Sequence, residues 1–219
     1  QRAQRAKPLS RVENYVVARS QSESFALVWT PVRRYADGEV GGPVALVHVS
    51  TERFSVVALG NLRLPPDRVA LRVEVVAGEE VLFAEGSQCD EGGQPGQCDT
   101  ELRLMLIRGP NIVPLELRDS GNRCVGPTEF GLRRVHTEKL PNGWVRDFVL
   151  TTTVDVDAGE LIARESLVAT DYPPGRDESR AQIYRRSEAK RTLGFNGAYF
   201  ESVRPTLWTH MRATKGELD

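Results

Sequence analysis

From Arg68 to Val75 apolar and polar positions alternate, with Val69, Leu71, Val73 and Val75 set between Arg68, Ala70, Arg72 and Glu74. A period of two puts one set on each face of an extended strand. The pattern returns in Leu102, Leu104 and Leu106 against Glu101, Arg103 and Met105, in Leu115 and Leu117 against Glu116 and Arg118, and from Phe148 through Leu150, Thr152 and Val154 to Val156. Phe25 to Val32, Val44 to Val49 and Phe54 to Leu59 are Val-rich, aromatic-bearing runs suited to a pleated, buried surface, and they read as core strands. The chain is therefore expected to be all-β, an antiparallel β-sandwich or a jelly-roll-like arrangement.

Turn chemistry between these runs supports that class. Asp37-Gly38, Gly60-Asn61, Ala77-Gly78, Gly121-Asn122, Ala158-Gly159 and Pro173-Pro174-Gly175 punctuate the sequence as a set of hairpins requires. Asn142-Gly143 has the composition of a primed turn with positive φ at both central residues. Val73-Glu74-Val75-Val76-Ala77-Gly78-Glu79 and Val154-Asp155-Val156-Asp157-Ala158-Gly159-Glu160 share one pattern, which two hairpins converging on the same turn explain more simply than a duplication. Asp177 to Thr192 lacks Gly and Pro and is rich in Arg, Ala, Gln and Glu, which predicts one short surface helix near the C-terminus, anchored by Ile183 and Tyr184. The predicted organisation is a basic N-terminal arm over 1–12, a β-sandwich domain over 13–175, and a surface helix with an aromatic C-terminal segment over 176–219.

Bulk composition narrows the partners. The 219 residues carry 29 Lys and Arg against 30 Asp and Glu, so the net field argues for neither nucleic acid nor an anionic membrane. No run reaches the ~20 apolar residues of a membrane helix, and no membrane span is expected in the chain as it stands. The chain starts at Gln1 and carries Arg2, Arg5 and Lys7 without a signal-like apolar run, so a preceding segment is expected to have been removed or omitted. An extracytoplasmic location or membership of an assembled particle is favoured. Charge is segregated along the chain. Glu74, Glu79, Glu80, Glu85, Asp90, Glu91, Asp99 and Glu101 occupy 74–101 with no Lys or Arg, while Arg2, Arg5, Lys7 and Arg11 open the chain and six bases face three acids over 176–191. Such segregation is met either inside the fold or by a neighbouring chain.

Sites with chemistry are few. Cys89 and Cys98 flank the turn-rich Asp90-Glu91-Gly92-Gly93-Gln94-Pro95-Gly96-Gln97, which can fold back into a disulfide staple or leave two free thiols; Cys124 makes the count odd. Three cysteines without a CxxC pair do not make a zinc site, and the carboxylates Asp155, Asp157 and Glu160, or Asp90, Glu91 and Asp99, read as solvated turn acids and not as a calcium loop. His48 reads as a structural histidine and His136 as a surface group, with no nucleophile elbow to pair with either. The absence of Gly-x-x-x-x-Gly-Lys and Gly-x-Gly-x-x-Gly predicts no nucleotide cofactor, and none of any other kind is implied.

The expected role is a non-enzymatic structural or assembly subunit in contact with protein partners or further copies of itself. Its candidate contact residues are Arg2, Arg5, Lys7, Arg185, Arg186 and Trp208. A viral coat protein whose basic arm meets nucleic acid is one version. The alternatives are a carbohydrate or small-ligand module using Trp29, Trp144 or Trp208, and an enzyme built around His136.

Overall fold

The structure is a computed structural model that describes residues 7–8, 16–19, 24–51, 53–89, 98–202 and 204–213. Arg2 and Arg5 lie outside the described residues. Seventeen strands linked by backbone pairing make the fold all-β, with one short helix near the C-terminus.

In chain order the strands begin with β1 (Lys7–Pro8), β2 (Val16–Arg19), β3 (Phe25–Trp29), β4 (Arg33–Arg34), β5 (Val40–Val49) and β6 (Phe54–Leu64). The next six are β7 (Asp67–Val76), β8 (Glu79–Gln88), β9 (Asp99–Arg108), β10 (Asn111–Pro114), β11 (Glu116–Asp119) and β12 (Cys124–Pro127). The last are β13 (Glu129–Lys139), β14 (Val145–Asp157), β15 (Glu160–Tyr172), β16 (Gln182–Phe195) and β17 (Tyr199–Ser202), followed by helix α1 (Leu207–Ala213).

Pairing is antiparallel except for β6 with β10 and β11 with β17. β9 is the branch point. One of its edges bonds β8 throughout, and the other bonds β13 through its first half and β10 through its second. From β10 the sheet continues through β6 and β5 to β3 and β2, curling until β2 lies against β7. From β13 it continues through β14, β15 and β16 to β17, β11 and β12.

Two apolar cores result, and the β8–β9 ribbon serves both. Leu82, Ala84, Met105 and Ile107 face the first core with Leu27, Trp29, Val44, Leu62 and Leu64. Val81, Phe83, Leu102, Leu104 and Leu106 face the second with Leu161, Ala163, Leu193 and Phe200. A strand buried on one face alternates, whereas one buried on both reads as a continuous apolar run. Met105, assigned by alternation to the polar set, is accordingly buried. Trp29 is 1% exposed and donates its indole N–H to the Leu62 carbonyl at 3.2 Å, which makes it a core anchor and removes it as a sugar platform.

The turns follow their chemistry where the flanking residues allow. Ala77-Gly78 and Ala158-Gly159 both close two-residue hairpins with positive φ throughout, at 49° and 86° and at 50° and 83°. The two turns touch, Ala77 donating its N–H to the Gly159 carbonyl at 2.9 Å. Their hairpins turn opposite sequence parities toward the second core, Val76 and Val81 in one but Val154 and Leu161 in the other, so no two-fold relates them about that contact. The Asn142-Gly143 turn differs from expectation: Pro141 holds a negative φ ahead of it, only Gly143 is positive at 77°, and Leu140 and Trp144 close a longer loop.

The segment 177–192 corrects the helix assignment. A 3-10 turn at Glu178–Arg180, capped by the Asp177 carboxylate, leads into β16, and the helix near the C-terminus is α1 instead. Helix-forming residues yield because β15 offers a long pairing edge, while Ser187, Ala189, Arg191, Leu193 and Phe195 point inward at a period of two. The Phe54–Leu59 run is also corrected: Ala58 is buried, but Phe54, Val56, Val57 and Leu59 are exposed.

Because Phe83 fills the second core from the doubly buried ribbon, Phe83→Ala is expected to cost about 3–5 kcal/mol in urea unfolding. Val75→Ala, on the exposed end of β7, is expected to stay within about 0.5 kcal/mol.

Candidate functional sites

Four places stand out, three by their polar side chains and one by exposed apolar residues on a strand edge. The first is an alternating charge cluster that spans β6, β9 and the start of β13. Glu39, just ahead of β5, sits between Arg63 of β6 and Arg103 of β9, the latter at 2.5 Å, and Arg63 also pairs with Asp37. Arg103 continues to Glu101 at 3.1 Å and Glu129 at 3.5 Å, and Arg63 stacks on the Tyr35 ring at 4.0 Å. Burial pushes the Glu129 carboxyl above the usual range, against the opposing pull of Arg103. Each carboxylate meets a guanidinium, so the cluster clamps β6, β9 and β13 together.

The second is a buried ion pair beneath α1. Glu165 of β15 and Arg191 of β16 meet at 2.5 Å with side chains 1% and 4% exposed. The other Glu165 oxygen accepts the Leu207 N–H at 2.7 Å, and Arg191 reaches Ser202 at 3.4 Å. The pair lies beside a cavity of about 230 Å³ lined by Leu117, Phe130, Leu150, Thr206 and Trp208. Both Glu165 oxygens are engaged, which suits the pair to tethering α1 rather than to moving a proton.

The third is a polar cleft of about 660 Å³ over β13 and β14. Its centre is the buried Asp147, whose carboxylate accepts from the Thr137 hydroxyl at 2.7 Å and from Arg176. Arg133 gives one N–H to the Cys98 carbonyl at 3.1 Å, Arg176 stacks over Tyr172 at 5.1 Å, and Gln88, Asp99 and Glu178 complete the rim. Nearby, Arg146 binds Asp171 through two contacts of 2.6 and 2.8 Å and holds its carboxyl below the usual range.

The fourth is the outer edge of β6. It pairs with β5 along its length with one bulge at Val57, but on the other side only Leu59 and Gly60 meet β10 among the described residues. Gly60 permits that approach, since a side chain there would run into the Ile112 carbonyl. Phe54 is 77%, Val56 63% and Leu59 53% exposed, with exposed Val113 on β10 beside them.

Cys89 and Cys98 form a disulfide, and Cys124 is free and exposed beside an Arg123 that pairs with Asp119 at 2.7 Å. Arg185 and Arg186 are exposed on β16. Lys7 pairs through its backbone with Arg34, and Trp208 and Trp144 are half-buried. His48 packs against Phe25 at 5.1 Å and His136 lies on β13 by Phe148 at 6.2 Å. Several segregated charges are met inside the fold, Arg176 by Asp147 and Glu74 by Arg72 at 3.3 Å. Asp155 pairs with Arg164 at 2.5 Å, and among the described residues no three His, Cys, Asp or Glu converge as metal ligands.

Compared with known protein families, curated proteins and solved structures, the chain matches none.

Arg191→Met strands the Glu165 charge and is expected to cost about 3–5 kcal/mol in urea unfolding, most of it recovered by adding Glu165→Leu. A loss below about 1 kcal/mol would contradict the burial of the pair. Because Arg146 depresses Asp171, this pair stabilises the fold above the unfolded carboxyl pKa of about 4 and stops doing so as pH falls through the lower folded value. Arg146→Gln is expected to flatten that portion of the acid unfolding curve; an unchanged curve would remove the pair as a contributor. Replacing both Cys89 and Cys98 by Ser is expected to cost about 2–3 kcal/mol, as loop-closure entropy for so short a loop implies.

Proposed function

We propose that the protein is a non-enzymatic assembly subunit that docks by adding a strand at the outer edge of β6. The observation that supports this reading is the edge itself. Soluble proteins protect a free strand edge with charge, proline, a bulge or a cover, because its amides and carbonyls otherwise recruit another chain. From Phe54 to Leu59 the strand carries neither a charge nor a proline, its one irregularity is the bulge at Val57, and Phe54, Val56 and Leu59 stand in solvent. The stretch of β16 that lacks a second partner among the described residues contrasts with it, being guarded by Arg185, Arg186 and Lys190.

The occupant is a second copy of the chain. Antiparallel pairing centred on Val56, with the bulge at Val57 absorbed in each copy, brings the uncharged Phe54–Leu59 stretches together with no like charges across the join. Self-pairing of β16 would instead crowd its cations. Arg185 and Arg186 stand exposed on β16, on the other arm of the sheet, and take no part in the β6 contact.

Size-exclusion chromatography with light scattering tests this. The wild-type chain is expected to run as a dimer that Val56→Lys converts to a folded monomer. A wild-type monomer at the highest soluble concentration, or a dimer indifferent to Val56→Lys, would contradict the reading.

A further inference from the structure

The polar cleft over β13 and β14 carries a separate assignment, independent of the β6 edge. We infer that it is a binding site for a neutral, polyhydroxylated ligand, an oligosaccharide chain. Three features lead there.

The first is intermixed charge. Arg133 and Arg176 line the same cleft as Asp99, Asp147 and Glu178, so a ligand of either net charge meets a like charge. A hydroxyl both donates and accepts, and satisfies a guanidinium and a carboxylate together. The second is preorganisation. Asp147 is buried and fixed by Thr137 and Arg176, yet an ionised carboxylate has about four acceptor positions and these partners use two. Arg133 has no carboxylate within ion-pair distance among the described residues and keeps donors beyond the one given to Cys98. The Tyr172 ring and the half-buried Val135 and Val149 supply the apolar surface that the C–H face of a sugar packs on.

The third feature is length. The cleft volume of about 660 Å³ lies inside the range of small-molecule sites, and a second concavity of about 410 Å³ continues on the same sheet. The register joins them: Arg133 pairs with Thr151 and Thr151 with Ser166, so Asp147, Val149, Thr151 and Thr153 share one face of β14 with Ser166 and Arg164 of β15. Hydroxyl groups thus follow the cleft outward. That continuity suits a chain of sugar rings better than a compact metabolite.

The test is isothermal calorimetry on the full chain with cellohexaose, maltohexaose, laminarihexaose and the hexamer of N-acetylglucosamine, alongside heparin and polygalacturonate fragments. Saturable binding of a neutral oligosaccharide is expected, weakened about tenfold or more by Arg133→Ala and by Tyr172→Ala. Melting temperature and oligomeric state are followed in both variants, with Thr151→Val as a third, since Thr151 is exposed and its loss leaves the cleft centre intact. Binding of none of the neutral hexamers, binding of the charged glycans alone, or neutral binding indifferent to all three folded variants would each overturn the assignment.

Discussion

The doubly buried β8–β9 ribbon is the constraint on which the rest of the molecule depends. Val81 to Ala84 and Leu104 to Ile107 are apolar at both parities, and each parity belongs to a different core. Burying about 25 cal/mol per Å² of apolar surface drives both faces of the ribbon to be covered at once, and one flat sheet cannot do it. The sheet therefore branches at β9 and curls to both sides. Strands farther from the ribbon bury mainly one face, as the alternation from Leu150 to Asp155 of β14 shows.

What was legible in the sequence was local. Alternation located most strands, two-residue Ala-Gly turns closed the hairpins expected of them, and the turn-rich loop after Cys89 closed on Cys98. Two local signals misled. Residues 182–192 carry helix formers, but their thin apolar stripe could not compete with the edge that β15 presents. Phe54 to Leu59 has the composition of a core strand, yet it runs beyond the core. Its lack of any charge could have marked it as an edge meant to be covered. The sites themselves were not legible, because they join distant positions: the cleft collects residues from Gln88 to Glu178, and the clamp joins Asp37 to Glu129.

Electrostatics and surface divide the work. Much of the charge closes on itself across strands, as in Arg191 with Glu165 beneath α1 and Arg103 with Glu39 beside β6 and β9. Among the described residues, two open surfaces differ in kind: an uncharged apolar edge on β6 and a hydroxyl-rich, charge-balanced face on β13 to β15. The first suits association with like chains and the second suits a hydrated chain ligand. They lie on different arms of the branched sheet, so occupation of one does not obstruct the other.

Native-state hydrogen exchange tests the central claim most directly. If the shared ribbon couples the two cores, the amides of 81–84 and 104–107 will be the slowest to exchange and will open only with global unfolding, at one free energy for both flanks. Exchange of the ribbon together with one flank, while the other flank keeps its protection, would show two independent cores and contradict the account.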